Sequence, residues 1–195
     1  GITAAVEAAE VGHDVILVEK EAFLGGRSIR LNNYFPKLCP PTCGLEVNFR
    51  RIRNNPRIQL MYPATVTQLA GDRGNFDATI QVQPAEPADE DKVFVQSSTP
   101  KSSITEAKTV EVKVGSVIVA TGWHPYDATK LDTLAYADCP DVIANVELER
   151  MAAAHGPTGG KLARPSDGAA PARVAFVQCA GPRDTSPLPY SSAVC

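Results

Sequence analysis

The chain has 195 residues, of which 21% are charged, with a net charge of −3 and five cysteines, enough for one full hydrophobic core or for one domain and part of another. A near balance of charge with no long run of one sign excludes the basic face that nucleic-acid binding requires. No apolar stretch reaches the roughly 20 residues that cross a bilayer, and the N-terminus lacks the basic and apolar regions of a secretion signal, so the expectation is a soluble cytoplasmic chain without a membrane span.

In chain order, Ile2, Ala5, Val6 and Ala9 recur at helical spacing, and Gly12 follows as a C-terminal stop. Val15 to Val18 is a continuous apolar run, the pattern of a parallel strand covered on both faces. Leu45, Phe49 and Ile52 predict a second helix, and Arg57 to Tyr62 a strand after it. From Ala64 to Gln83 the apolar period becomes two around a turn at Gly71 to Asn75, which predicts a hairpin, with Thr109 to Val114 as a further strand of the same small sheet.

Residues 84–107 are rich in Pro, Ser, Glu and Asp and read as a loose insertion. Val117 to Ala120 reads as a second buried, parallel-type strand that runs into "ATGWHPYD". A helix is expected near Val146 to Ala154, then the linker "GPTGGKLARPSDGAAPA", then a new strand at Val174 to Val177. The chain begins at Gly1 within a helical pattern and stops at Cys195 within an unfinished motif, and is expected to be a fragment of a longer protein.

A dinucleotide fold needs glycines where a pyrophosphate meets a helix N-terminus, and a carboxylate at the end of the next strand for the ribose hydroxyls. Glu19 stands 18 positions after Gly1, close to the ~20 expected between such a glycine loop and its acidic partner. Gly25 and Gly26, followed by Arg27, let backbone approach a ligand and put amide donors and a cation beside a phosphate. Gly122 of "VIVATG" lies at the carboxyl end of an expected parallel strand, where ligands bind in open α/β sheets.

These residues resemble the two-dinucleotide-binding-domain flavoproteins over Gly1 to Tyr126. "LNNYFPKLCPPTCGLEVNFRRIRNNPRI", "GPTGGKLARPSDG" and "VAFVQCAGPRD" extend the resemblance to the A subunit of heterodisulfide reductase and its relative, the A subunit of the quinone-interacting membrane-bound oxidoreductase. The resemblance implies an α/β, Rossmann-like FAD-binding domain over residues 1–123 with an antiparallel sheet inserted at about 64–115, a connector and linker over 124–172, and the start of a second domain at 173–195. It implies FAD held through Gly1, Glu19, Lys20, Gly25, Gly26, Arg27, Ala120, Thr121 and Gly122. It also implies an electron-transfer subunit of a membrane-associated complex, peripheral on the inner face of the membrane through its partners. That complex would relay electrons between a quinone-linked membrane component and adenylylsulfate reductase.

The odd cysteine count without a secretion signal argues for reduced or redox-active thiols. Cys39 and Cys43 are joined through Pro40, Pro41 and Thr42, a spacing unlike the C-x-x-C of zinc sites and thioredoxin-like pairs. Three readings stand open: a redox pair, two ligands of a cluster, or plain buried thiols. By the same resemblance, Cys179 and Cys195 fall at two ligand positions of a [4Fe–4S] cluster in the full-length protein, but Ser191 stands at a third, and serine is a poor substitute for thiolate at iron. Residues 84–115 hold no cysteine, so the ferredoxin-like insertion of some relatives is absent. Cys139 reads as structural, His13 as solvated, and Arg50, Arg51 and Arg53 as cations at a helix C-terminus. Two rival functions remain: a stand-alone NAD(P)H-dependent disulfide reductase using Cys39 and Cys43, and a non-catalytic assembly subunit of the same fold.

Overall fold

A computed structural model describes residues 1–34, 36–84, 100–104, 106–182 and 189. They divide between two compact units, one within Gly1–Arg30 and Tyr34–Gly122, the other within Leu31–Asn33 and Trp123–Cys195. The first unit is mixed α/β. Helix α1 (Ile2–Glu10) leads into strand β1 (Val15–Val18), helix α2 (Pro41–Asn54) into β2 (Ile58–Met61), and β1 and β2 pair in parallel with Val15 opposite Ile58 and Val18 opposite Met61. A separate antiparallel sheet has the order β3 (Ala64–Asp72), β4 (Asn75–Val82), β5 (Lys108–Val114). This is the Rossmann-like layer with an inserted sheet that the sequence predicts.

The uninterrupted apolar run of β1 has a direct cause: successive strand side chains point to opposite faces, and both faces meet apolar partners. Val15 and Leu17 pack toward the core of Val6, Ala9, Phe23, Leu24, Ile29, Phe49, Ile52, Ile58 and Leu60. Ile16 and Val18 pack on the other side with Met61, Ala64, Ile80 and Val82. The small antiparallel sheet thus takes the second face of the parallel pair. Within it Asp72 lies opposite Asn75, so the turn is the two-residue Arg73–Gly74, and the register slips by one residue at Thr67. That extra residue bulges an edge strand, a distortion that disfavours edge pairing with another chain.

The free edge of β2 is covered by the segment Pro100–Ile104. Ser103 N–H donates to the Leu60 carbonyl at 2.6 Å, Leu60 N–H donates to Ser103 Oγ at 3.1 Å, and Tyr62 N–H donates to Ser102 Oγ at 3.1 Å. Tyr62 OH closes the strap on the Pro100 carbonyl at 2.7 Å. Hydroxyls here do what a neighbouring strand would do.

Two expected strands are not formed. Val117 to Ala120 carries no strand pairing and is exposed, with Val119 at 78%. Val174 to Val177 likewise has no strand, and Phe176 is 70% exposed. The physical reason is common to both: an apolar run becomes a strand only where a second backbone accepts its ladder, and none does so among the described residues.

The second unit contains helix α3 (Asn145–Ala152), close to the helix expected near Val146 to Ala154. Glu147 caps its start by accepting from Ala144 N–H at 2.5 Å and takes the Tyr136 hydroxyl at 3.1 Å. Asp141 accepts from both the N–H and the hydroxyl of Ser166, at 3.0 and 2.9 Å, and these bonds lower its pKa. No described helix is long and apolar enough to cross a membrane.

Candidate functional site

Helix α1 has nine residues and β1 four, so at about 1.5 and 3.3 Å per residue both run for roughly 13 Å. The chain reverses between them at Val11–Asp14, where Gly12 has φ +102°, and α1 packs on β1. Gly1 and Glu19 therefore stand at the same end of the layer. Gly1 is the N-cap of α1, with no side-chain cap and no acidic residue in the first turn. Glycine has no side chain to offer the first-turn N–H groups, which carry the positive end of the helix dipole.

At the end of β1 the backbone of Glu19 is held on both sides: its N–H donates to the Met61 carbonyl at 3.0 Å, and its carbonyl accepts from Ala64 N–H at 2.8 Å. Its side chain is oriented too, because Glu21 N–H donates to Glu19 Oε1 at 2.9 Å. Among the described residues no hydrogen bond is made to Oε2, so the carboxylate is fixed through one oxygen. Sequence reasoning identifies Glu19 but not Glu21, whose contribution is a backbone N–H that any residue other than proline at that position would supply.

The glycine pair is suspended between apolar anchors. Phe23, Leu24 and Ile29 are all buried, and the guanidinium of Arg30 lies 5.4 Å from the centre of the Phe23 ring. Gly25 has φ +110°, and a Cβ there would come within 3.1 Å of Ile29 Cβ and 3.2 Å of Leu45 Cδ1. Gly26, at φ +56°, faces open space, with no atom within 4 Å of the place its Cβ would take. One glycine lets the loop pack against α2; the other leaves its outer face clear.

Of the remaining expected residues, Ala120 comes to Gly1: a Cβ on Gly1 would lie 3.6 Å from the Ala120 Cβ. Thr121 and Gly122 follow directly, both exposed, with open space at Gly122. Lys20 and Arg27 are exposed beside the loop. Cys39 is half-buried and Cys43 exposed in the first turn of α2, both as free thiols. Cys179 is a half-buried free thiol at φ +56°, whereas Ser191 and Cys195 lie outside the described residues. Among the described residues no group of three or more His, Cys, Asp or Glu side chains is arranged to hold a metal ion. His13 and His124 are exposed.

The arginines do more than face a helix terminus. Arg51 reaches across to α1, pairing with Glu7 at 2.8 Å and Glu10 at 2.6 Å. Its hydrogen bond holds Glu10 below the usual carboxylate range, and the two carboxylates raise the pKa of Arg51.

No family model matches the chain. Curated proteins do, over all of it. It is 32% identical to the second iron-sulfur A subunit of the CoB–CoM heterodisulfide reductase of Methanopyrus kandleri across an aligned stretch of 250 residues, covering 100% of this chain and 38% of that protein. The chain is related to the heterodisulfide reductase A subunits. It is also 30% identical to the A subunit of the ferredoxin/F(420)H(2)-dependent CoB–CoM heterodisulfide reductase of Methanosarcina acetivorans, spanning 32% of it. It is 30% identical to the A subunit of the H(2):CoB–CoM heterodisulfide,ferredoxin reductase of Methanothermobacter marburgensis, spanning 38% of that protein. It therefore spans about a third of the length of the relatives it matches. The alignments run over about 250 positions against 195 residues here, so part of the aligned stretch in each relative has no counterpart in this chain.

Proposed function

We propose that the chain is the FAD-binding portion of an electron-transferring oxidoreductase subunit. The observation that carries this reading is the uncapped N-terminus of α1 at the same end of the layer as Glu19, whose side chain is pre-oriented by Glu21 N–H. The donor set suits a dinucleotide. First-turn amides at Gly1 and backbone at Gly25 and Gly26 would meet the pyrophosphate, with Lys20 and Arg27 adding positive charge, and Glu19 would accept from the ribose hydroxyls. Ala120, Thr121 and Gly122 would lie toward the flavin. Open space at Gly26 and Gly122, where a side chain would intrude, supports that fit.

When bound, FAD supplies acceptance of an electron pair and its release singly or as a pair. The chain's own work is to bind, orient and shield it. Kinship with the heterodisulfide reductase A subunits supports a role inside an oxidoreductase complex, and the long motifs beginning "FPKLCPPTCGLE" extend the proposal to a quinone-linked membrane complex with adenylylsulfate reductase as electron partner. On this reading residues 1–123 are the FAD domain, 124–172 a connector, and 173–195 the start of a second domain. The protein sits in the cytoplasm against the inner face of the membrane through its partner subunits. An iron–sulfur cluster on Cys179 and Cys195 would need ligands beyond these two.

The test is to purify the full-length protein without oxygen and identify the cofactor that acid releases. One FAD per chain is expected, and Glu19→Gln should weaken its retention about tenfold, the loss of one charge-assisted hydrogen bond. A folded full-length protein without flavin would overturn the reading and leave a non-catalytic assembly role.

A further inference from the structure

Cys39 and Cys43 have no part in the cofactor reading, yet their surroundings are unusual. The loop before Cys39 is closed twice on Tyr34: Tyr34 N–H donates to the Cys39 carbonyl at 2.9 Å, and Leu38 N–H donates to the Tyr34 carbonyl at 2.6 Å. Within it Leu38 has φ +51°, although the residue has a side chain and that side chain is 68% exposed. A leucine in the left-handed region is strained and gains no burial in return. Strain of this kind persists only where the surrounding bonds over-determine it, and it concentrates at functional sites.

Immediately beyond, Pro40 caps α2 and Pro41 is its first residue, so the connection between the two cysteines is stiff. Cys43 N–H donates to the Pro40 carbonyl at 3.1 Å, which turns the chain at once and keeps both thiols at one end of one helix. Cys43 is on the outward face: it is exposed, and Val47, one turn further along the same face, is 60% exposed. Cys39, four residues earlier, is half-buried. The same first turns of α2 contribute Leu45, whose Cδ1 closes on Gly25.

We propose that Cys39 and Cys43 form a reversible dithiol–disulfide couple, presented beside the glycine loop by the turn at Leu38, which exchanges an electron pair with a small disulfide. The accessible Cys43 Sγ attacks one sulfur of the disulfide, forming a mixed disulfide and releasing the first thiol. Cys39 Sγ then attacks Cys43 Sγ, closing the internal disulfide and releasing the second thiol. Two protein thiols are oxidised, one external disulfide is reduced, and the two thiol protons leave on the two product thiols. The pair's place beside the cofactor rests on the function proposed above; its thiol chemistry does not.

The sequence makes the test clean. Trypsin cleaves after Lys37 and Arg50, so one peptide, 38–50, carries both of these cysteines and no other. The full-length protein, purified without oxygen, is equilibrated with mixtures of reduced and oxidised glutathione, quenched with acid, alkylated and mapped by mass spectrometry. Flavin content is measured separately. Wild type should pass from a doubly alkylated peptide to one lacking two hydrogens, following the ratio of squared reduced to oxidised glutathione as a single two-electron step. Cys39→Ser should trap glutathione on Cys43, while Cys43→Ser should leave Cys39 largely alkylatable. Three results would overturn the proposal whether or not FAD is bound: peptide 38–50 doubly alkylated at every ratio, glutathione persisting on each cysteine separately in wild type, or thiols blocked in the reduced protein until an iron chelator frees them.

Discussion

Val15–Val18 and Val117–Ala120 are nearly the same sequence, VILV and VIVA, in the same compact unit. The first is a strand with side chains half-buried on both faces; the second is exposed and unpaired. Apolar composition is common to both, so it does not account for the difference. What separates them is backbone: β1 has the edge of β2 to pair with, α1 and α2 against one face and the antiparallel sheet against the other. A strand is a property of a pair of segments.

That contrast can be broken at its support. Phe49→Ala removes a fully buried ring from the core behind β1 and should cost about 3–5 kcal/mol, read as a lower denaturant midpoint. Ile118→Thr, in the bare segment, should change stability by no more than about 0.5 kcal/mol. Equal losses at the two sites would mean that the bare segment is buried after all. Hydrogen exchange sharpens the same point without mutation: amides of Val15–Val18 should exchange far more slowly than those of Val117–Val119.

A middle-sized effect is expected at the glycine loop. Gly25→Ala puts a Cβ against Ile29 and Leu45 at a φ of +110° and should cost about 1–3 kcal/mol, whereas Gly26→Ala meets no protein atom and should act mainly on cofactor retention. Thermal melts with and without added FAD separate the two. Next comes the strap: Ser103→Ala removes the acceptor for Leu60 N–H and should cost about 1 kcal/mol, with faster exchange along the β2 edge.

The smallest effect lies in the Arg51 bridge between α1 and α2. Because Glu10 is held below its ordinary value of 4.5, its contribution is present above that value and fades as the pH falls through the lowered one. Arg51→Met should remove this acid-side dependence and leave a small difference at neutral pH that salt erases. A difference unchanged by salt would assign the loss to packing of the arginine stem.

Much of the fold was legible in the sequence because its signals are local. Ile2, Ala5, Val6 and Ala9 mark the buried side of α1, Pro41 sits at the first position of α2, and the change to a period of two after Ala64 marks the hairpin. Glu19 and the glycine pair were legible for the same reason: strand, acid and glycines follow one another in the chain. Glu21 escaped notice because its contribution is a backbone N–H, which no side-chain pattern encodes. The strap escaped because Ser102 and Ser103 stand in a Pro- and Ser-rich stretch that reads as loop, yet they bond a strand 40 residues away.

By itself, then, the sequence determined the helices, the strands β1 to β5, the hairpin and the similarity to heterodisulfide reductase A subunits, and it singled out Glu19 as a candidate, since each is written in spacing or in similarity along the whole chain. Only the tertiary structure decided that β1 is apolar on both faces because the antiparallel sheet takes one of them, that Val117–Ala120 is left bare, and that a strained leucine presents Cys39. Periodicity records which way a side chain would point, whereas pairing and strain depend on which backbone arrives beside it, and that is fixed by contacts between residues far apart in the chain.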